Sequence, residues 1–223
     1  MENPGEQRIV DLSHAVEDGM VTFKGLPPPH ICDYWSRADS AANYDDGSTF
    51  QIGRITMVAN TGTYVDAPFH RFENGKDLSE LALGSLADLP GQMVLAPYQQ
   101  GLAVDVDRFA GLDVRGKAVL VATGWDRHWR TEAYFTDHPF LTADAAAWLV
   151  EQGAAFVGID SHNIDDTRTR SRPVHTTLLG ADIPIGEHLT NLAALPASGF
   201  RFHAVPPKVK GMGTFPVRAY AVI

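Results

Sequence analysis

Cysteine is nearly absent: Cys32 is the only one in 223 residues. That excludes an intramolecular disulfide and fits a reducing compartment. Basic residues are outnumbered, 18 against 27 acidic, for a net charge of −9. Nucleic acid and anionic membrane both demand a basic surface, so neither is expected as a partner. No apolar run is long enough to span a bilayer. The opening "MENPGEQRIVDLSH" has no apolar signal core. These absences predict a cytoplasmic protein. Repeats, low-complexity segments, linkers and blocks of like charge are missing too. One domain over residues 1–223 is therefore expected, long enough to bury a core without staples.

What is present is an ordinary globular composition, 44% hydrophobic and 20% charged. "RIVDLS" (8–13) and "IGRITMVA" (52–59) carry branched apolar residues and read as strands. "QMVLAPY" (92–98), "KAVLVATG" (117–124) and "AFVGID" (155–160) are short apolar runs of the kind found in buried strands. "FRFHAVPPKV" (200–209) and "FPVRAYAVI" (215–223) read as late strands, the last pinning the C-terminus into a sheet. Residues 142–153, "TADAAAWLVEQG", predict a helix, with Thr142 as N-cap, Asp144 in the first turn and Gly153 as the C′ residue. "VDVDRFAGLD" (104–113) predicts a shorter one. "GLPPPH" (25–30) reads as a rigid extended connection, and "DYWSRADSAANYDDGSTF" (33–50) as a long ordered loop. The first fifty residues are thus expected to hold an N-terminal strand and an arm that contributes to a dimer interface. Strands mixed with helices place the chain in the α/β class, with a mixed or barrel-like sheet.

The chemistry gathers in "NTGTYVDAPFH" (60–70). Asp66 and His70 stand four apart around Pro68, whose ring stiffens the segment and holds both side chains in place. A carboxylate and an imidazole held together suit a metal ion or acid–base work. Gly62, between Thr61 and Thr63, permits a tight backbone path with amides free to face a site. Taken alone, this string is also what an Asp-capped turn beside a proline looks like. His175, in the basic stretch "DDTRTRSRPVH", reads by itself as a surface histidine. Glu187, in "PIGEHL", reads as an acid at a helix N-terminus.

The chain as a whole resembles the cyclase family, which includes bacterial kynurenine formamidase and isatin hydrolase. The family signature H-x-G-T-H-x-D-x-P-x-H corresponds here to Asn60, Gly62, Thr63, Tyr64, Asp66, Pro68 and His70. "RIVDLSHAVEDGM" is similar to the family's opening D-L-[ST]-H-x-x-x-x-G-M, and "VGIDSHNIDD" to its G-x-D segment. "RPVHTTLLGADIPIGEHLTNLAALP" resembles its second motif, a His followed twelve residues on by a Glu. "VRAYAVI" resembles its closing strand. The likeness is collinear from about residue 8 to the end.

The resemblance implies a swivelling β/β/α fold and a homodimer or tetramer. It implies an enzyme acting on C–N bonds other than peptide bonds, a hydrolase of small and often aromatic amides. In metal-binding members the ligands come from both motifs. Here Asp66, His70, His175 and Glu187 match, whereas Asn60 and Tyr64 stand where the signature has histidines. The chain is similar to a branch reading N-x-G-T-Y-x-D-x-P-x-H. Asn and neutral Tyr are poor zinc ligands. The expectation is therefore no tightly bound metal, with a single zinc or manganese on the four matching residues as the alternative. Without a metal, Asn60 and Tyr64 are placed to donate to a developing oxyanion. His70, with Asp66 or Glu187, is placed to act as general base. Trp35 and Phe50, with Tyr34, form an expected aromatic wall, and Thr63 and His162 complete the expected substrate contacts. Asp160 is expected to be structural and His14 to sit at the rim. The remaining histidines are read as structural. The expected function is hydrolysis of a small amide or lactone. A metal-free cyclase or dehydratase of a polyketide-like pathway, and a non-catalytic ligand-binding protein, are the alternatives.

Overall fold

The computed structural model describes residues 7–223. Among the described residues, thirteen strands and three α-helices are connected by one-turn helices and loops. The strands are β1 (Ile9–Asp11), β2 (His30–Trp35), β3 (Ile52–Thr56), β4 (Tyr64–Asp66), β5 (Leu89–Leu95), β6 (Ala103–Val104), β7 (Ala118–Ala122), β8 (Phe140–Leu141), β9 (Phe156–Ile159), β10 (Ile185–Glu187), β11 (Ser198–His203), β12 (Thr214–Pro216) and β13 (Tyr220–Val222). The helices are α1 (Arg37–Ser40), α2 (Ala143–Gln152) and α3 (Pro173–Gly180).

Nine strands form one mixed sheet in the order β1-β13-β11-β5-β7-β9-β10-β4-β12. Its centre, β5 to β10, is parallel, and both flanks are antiparallel. Chain connectivity forces this sheet to curl. β12 and β13 are separated by seven strand spacings, about 34 Å if the sheet were flat. Yet only residues 217–219 link them, and such a link reaches about 14 Å. The two flanks must therefore approach each other in a barrel-like arc. Side-chain packing agrees: Leu12, Val65, Leu89, Phe156, Phe202 and Ala221, drawn from both flanks, share one buried cluster.

Alternation along β7 divides the core. Val119 and Val121 pack with α2 and α3, whereas Ala118, Leu120 and Ala122 face the enclosed side. α2 forms as its sequence predicts. Thr142 caps Ala145 N through its side chain, and Gly153 ends the helix at φ 76°. Ala145, Ala146 and Leu149 bury its inner face.

Several elements differ from expectation. Residues 64–66 are a fully buried strand rather than part of a turn. His175 lies on α3, not in a surface loop. Glu187 ends a buried strand, not a helix N-terminus. In the stretch 104–113, Val104 ends β6 and the helical part is a single 3-10 turn, Val106–Phe109. The span 215–223 is two strands on opposite flanks of the sheet. Residues 33–50 are partly regular structure, carrying the end of β2, then α1 and a 3-10 turn at Ala41–Asn43. β2 pairs with β3 as a two-stranded hairpin outside the main sheet, and β3 is exposed along its whole length. Among the described residues, no helix is long and apolar enough to cross a membrane.

Candidate active site

Strand register assembles the site. β4 lies between β10 and β12, with Tyr64 opposite Glu187 and Asp66 opposite both Ile185 and Thr214. Side chains directly opposite across a ladder meet on one face. Hence the Tyr64 hydroxyl donates to Glu187 Oε2 at 2.6 Å, and the Thr214 hydroxyl donates to Asp66 Oδ1. Beyond β4 the chain turns through Pro68–His70, closed by His70 N donating to Ala67 O at 2.8 Å. Gly213 lies against that turn, and a Cβ there would overlap the His70 backbone. Close approach of this kind is what glycine permits.

His175 is placed by a long-range cap. α3 starts at Pro173, which suits a first helical position. Val174 N and His175 N donate to the Asp165 carboxylate at 2.8 and 3.0 Å. The same carboxylate accepts His175 Nδ1 at 2.6 Å. His175 Nε2 is thereby turned toward Asp66 Oδ2 and Glu187 Oε1, each at 3.6 Å.

Proton positions follow from the partners. Thr214 has one hydroxyl proton, and it goes to Asp66. His70 Nδ1, 2.9 Å from Thr214 Oγ1, must then be the donor in that contact. His70 Nε2 is left with its lone pair, and it makes no hydrogen bond among the described residues. A second buried chain runs from Tyr134 through His188 and Tyr64 to Glu187. The Tyr134 hydroxyl lies 2.9 Å from His188 Nδ1, and His188 Nε2 lies 3.3 Å from the Tyr64 hydroxyl. Glu187 Oε1 also accepts the Ile164 amide at 2.7 Å.

These groups are deeply enclosed, with Asp66 0%, Tyr64 1%, Glu187 1% and His175 5% exposed. Burial opposes charge on His175, but Glu187, Asp165 and Asp66 outweigh it and push the imidazole up to about 10. Burial raises Glu187, with Asp66 adding and His175 opposing. Burial, and then the charges of Glu187 and Asp66, hold Tyr64 well above the usual phenol range. The site therefore favours a positive charge at its centre. Asp66, His70 and His175 offer ligand atoms within 4.8 Å of one another. Asp66 Oδ2 is buried without a hydrogen-bond partner. Two imidazoles and one carboxylate, whose Oδ2 is orphaned, fit a divalent cation. Glu187 lies beside this trio, both its oxygens engaged by Tyr64 and Ile164.

A cavity of about 280 Å³ opens onto these residues. Asn60, Tyr64, His70, His175 and Glu187 line its polar end. Phe23, Leu26, Asn163, Arg71 and Arg172 complete it. A volume of roughly 150 Å³ already accommodates benzene, so one ring with a substituent fits. Asn60 and Tyr64 both line this space. The Tyr64 proton is already committed to Glu187, so of these two residues Asn60, whose side chain also hydrogen-bonds Tyr64, is the remaining donor.

Other expected contacts fall elsewhere. Trp35 and Phe50 pack edge to face at 5.1 Å by the hairpin and do not line the cavity. Phe23 and Leu26 supply its apolar wall instead. Thr63 is buried and fixes backbone, donating to His188 O at 2.6 Å and accepting His14 N at 3.0 Å. The Gly62 amide is taken by Thr22 Oγ1 at 2.9 Å, so it is not free to face the site. His162 lies behind the wall, stacked on Phe23 at 4.8 Å. His14 stacks on Trp129 at 4.0 Å. Asp160 holds Thr123 and Gly124 through their amides and the Thr123 hydroxyl. Thr214, Asp165, Arg71 and Arg172 carry no local motif that marks them.

His162 gives a pH prediction. Burial, then the charges of His138 and Lys24, lower it to about 3. An unfolded imidazole takes its proton near pH 6.5. Between those values the unfolded chain binds the extra proton, so stability falls as pH drops from 6.5 toward 3. Over the two units from 6.5 to 4.5 this site contributes about 2 to 3 kcal/mol of that loss. Urea unfolding of His162→Phe should therefore show an acid loss shallower than wild type by about that amount. Parallel curves would mean that His162 is charged in the folded protein.

The chain matches the Cyclase family model over residues 10–166. It is 27% identical over 213 residues to a kynurenine formamidase of Geobacillus thermodenitrificans, covering 94% of this chain and 95% of that one. A solved structure of a "potential metal-dependent hydrolase with cyclase activity" superposes at a TM-score of 0.79 with 25% identity, covering 97% of this chain and 98% of the other. Isatin hydrolase A from Labrenzia aggregata, bound to benzyl benzoate, superposes at 0.81 with 23% identity, covering 97% and 94%.

Proposed function

The chain belongs to the cyclase family, and from that premise we propose that it hydrolyses a small amide or lactone, aromatic in its preferred substrates, at a bond other than a peptide bond. Similarity to a kynurenine formamidase over nearly the whole chain supports the amide. The observation that carries the reading is the convergence of Asp66, His70 and His175 beside a cavity that the two histidines line, with Asp66 Oδ2 buried and unpartnered.

In this reading water sits against His70 Nε2 and gives up its proton there as its oxygen attacks the carbonyl carbon. Asp66 acts through Thr214, holding the tautomer of His70 and stabilising the imidazolium that forms. The Asn60 amide donates to the carbonyl oxygen as negative charge builds on it. His70 then returns the proton to the leaving nitrogen or oxygen. Phe23 and Leu26 keep water from the apolar side of the substrate. A single zinc or manganese held by Asp66, His70 and His175 would polarise the carbonyl and acidify water, with His70 then serving as ligand.

The test is turnover of N-formyl arylamides, isatin and aryl lactones by chelator-treated protein, and again after adding zinc or manganese. Hydrolysis of at least one class is expected. Ligand binding without turnover, with or without metal, would replace this reading by a non-catalytic one.

A further inference from the structure

Two guanidiniums at the cavity mouth have no part in the chemistry above. Arg71 follows His70 directly, and Arg172 precedes α3. Among the described residues neither forms a salt bridge, in contrast to Arg168, which Asp166 neutralises at 2.8 Å. Arg71 uses only Nε, donating to Thr176 Oγ1 at 3.1 Å. Arg172 uses only Nη1. It donates to Ser171 O at 2.7 Å, Thr169 O at 2.8 Å and Asp166 O at 3.4 Å. That carbonyl clamp fixes the fork while Nε and Nη2 make no hydrogen bond among the described residues. Both side chains line the cavity.

The cavity is therefore polarised. Glu187 and His175 line its inner end, with Asp66 buried directly behind, whereas its mouth holds two guanidiniums that have no salt-bridge partner among the described residues. At the inner end the His175 imidazole is already surrounded by Asp66, Asp165 and Glu187, so it is the mouth that offers an anionic group unmatched positive charge. Planar forks with free N–H groups match a carboxylate's two oxygens. Among the described residues no carboxylate side chain stands at salt-bridge distance from either arginine, so the mouth offers no charged partner for an ammonium.

We propose that Arg71 and Arg172 form a carboxylate clamp, so that the substrate is a small amide or lactone carrying a plain carboxylate, not a zwitterionic amino acid, remote from the scissile carbonyl. The substrate class rests on the hydrolase reading; the clamp itself does not. The chain is acidic overall, −9, so a positive mouth also draws such a substrate to this point on an otherwise repelling surface.

Calorimetry with 2-aminobenzoate, its neutral amide 2-aminobenzamide and phenylalanine tests the clamp on chelator-treated full-length protein, where no metal competes for the acid. Wild type should bind the acid at least about tenfold more tightly than either comparator. In Arg71→Gln and Arg172→Gln that preference should shrink to about threefold or less, with Arg172→Lys between because an ammonium lacks the fork. Arg71 is exposed, so Arg71→Gln keeps the test alive if loss of the Arg172 carbonyl clamp impairs folding. Equal binding of acid and amide, no binding of the acid, or a preference surviving both Gln variants would overturn the proposal. A preserved preference for the acid without turnover of any amide or lactone would leave the clamp standing and remove the hydrolase reading. Turnover without that preference would do the reverse.

Discussion

His70→Ala is expected to lower turnover by about two to four powers of ten, the usual contribution of a positioned general base. The geometry makes this residue the exposed end of a relay. Asp66 is fully buried and takes the Thr214 hydroxyl, Thr214 takes His70 Nδ1–H, and Nε2 is left free. The side chain is 35% exposed, so its removal leaves no deep cavity. The variant should melt near wild type. Metal content measured on the same preparations adds a second readout, since His70 is also one of three convergent ligand positions. Full activity in the variant would take His70 out of the mechanism. A collapsed fold would reduce it to a structural role.

The sequence displayed this relay unevenly. Asp66 and His70 are four residues apart around a proline, so local stereochemistry alone brings them together. α2 was similarly legible, because cap, first-turn acid and terminal glycine all lie within twelve consecutive residues. His175 and Glu187 were visible only through family resemblance. The local signal "DDTRTRSRPVH" is that of a polar loop, and the cap that starts α3 comes from Asp165, ten positions before His175. Thr214 had no signal at all. It reaches Asp66 across 148 residues through β4–β12 pairing, which no local pattern encodes. The cavity wall is hard to read from sequence for a related reason. Aromatic character in the early segment identified Trp35 and Phe50, but the path of an irregular chain decides that Phe23 and Leu26 face the site. Arg71 and Arg172 look like background charge until the cavity shows that they lack a partner.

The departure from the family motif at positions 60 and 64 leads to the other large effect. Tyr64 is fully enclosed, and its hydroxyl occupies Glu187 Oε2 at 2.6 Å. A carboxylate that would otherwise be free to ligate is thereby tied to a phenol. Asn60 faces the same cavity with a neutral amide. Asn60→His with Tyr64→His replaces both by imidazoles and returns Glu187 Oε2 to the cavity. Donors at hand then rise beyond the present trio of Asp66, His70 and His175. Zinc or manganese affinity should rise on the order of 10²- to 10⁴-fold. A cation that binds only the folded state stabilises it by mass action, about 4 kcal/mol at a thousandfold excess over Kd. Added metal should therefore raise the melting temperature of the double variant far more than that of the parent. Tyr64→Phe separates loss of the phenol from gain of ligands. It leaves Glu187 Oε2 buried without its donor, at a cost of about 1 to 3 kcal/mol, and adds no imidazole. If parent and double variant both hold stoichiometric metal, Asp66, His70 and His175 already suffice and the substitutions at 60 and 64 serve the substrate instead. If neither binds, the imidazoles do not reach the trio, and the polar end of the cavity works through hydrogen bonds and acid–base chemistry alone.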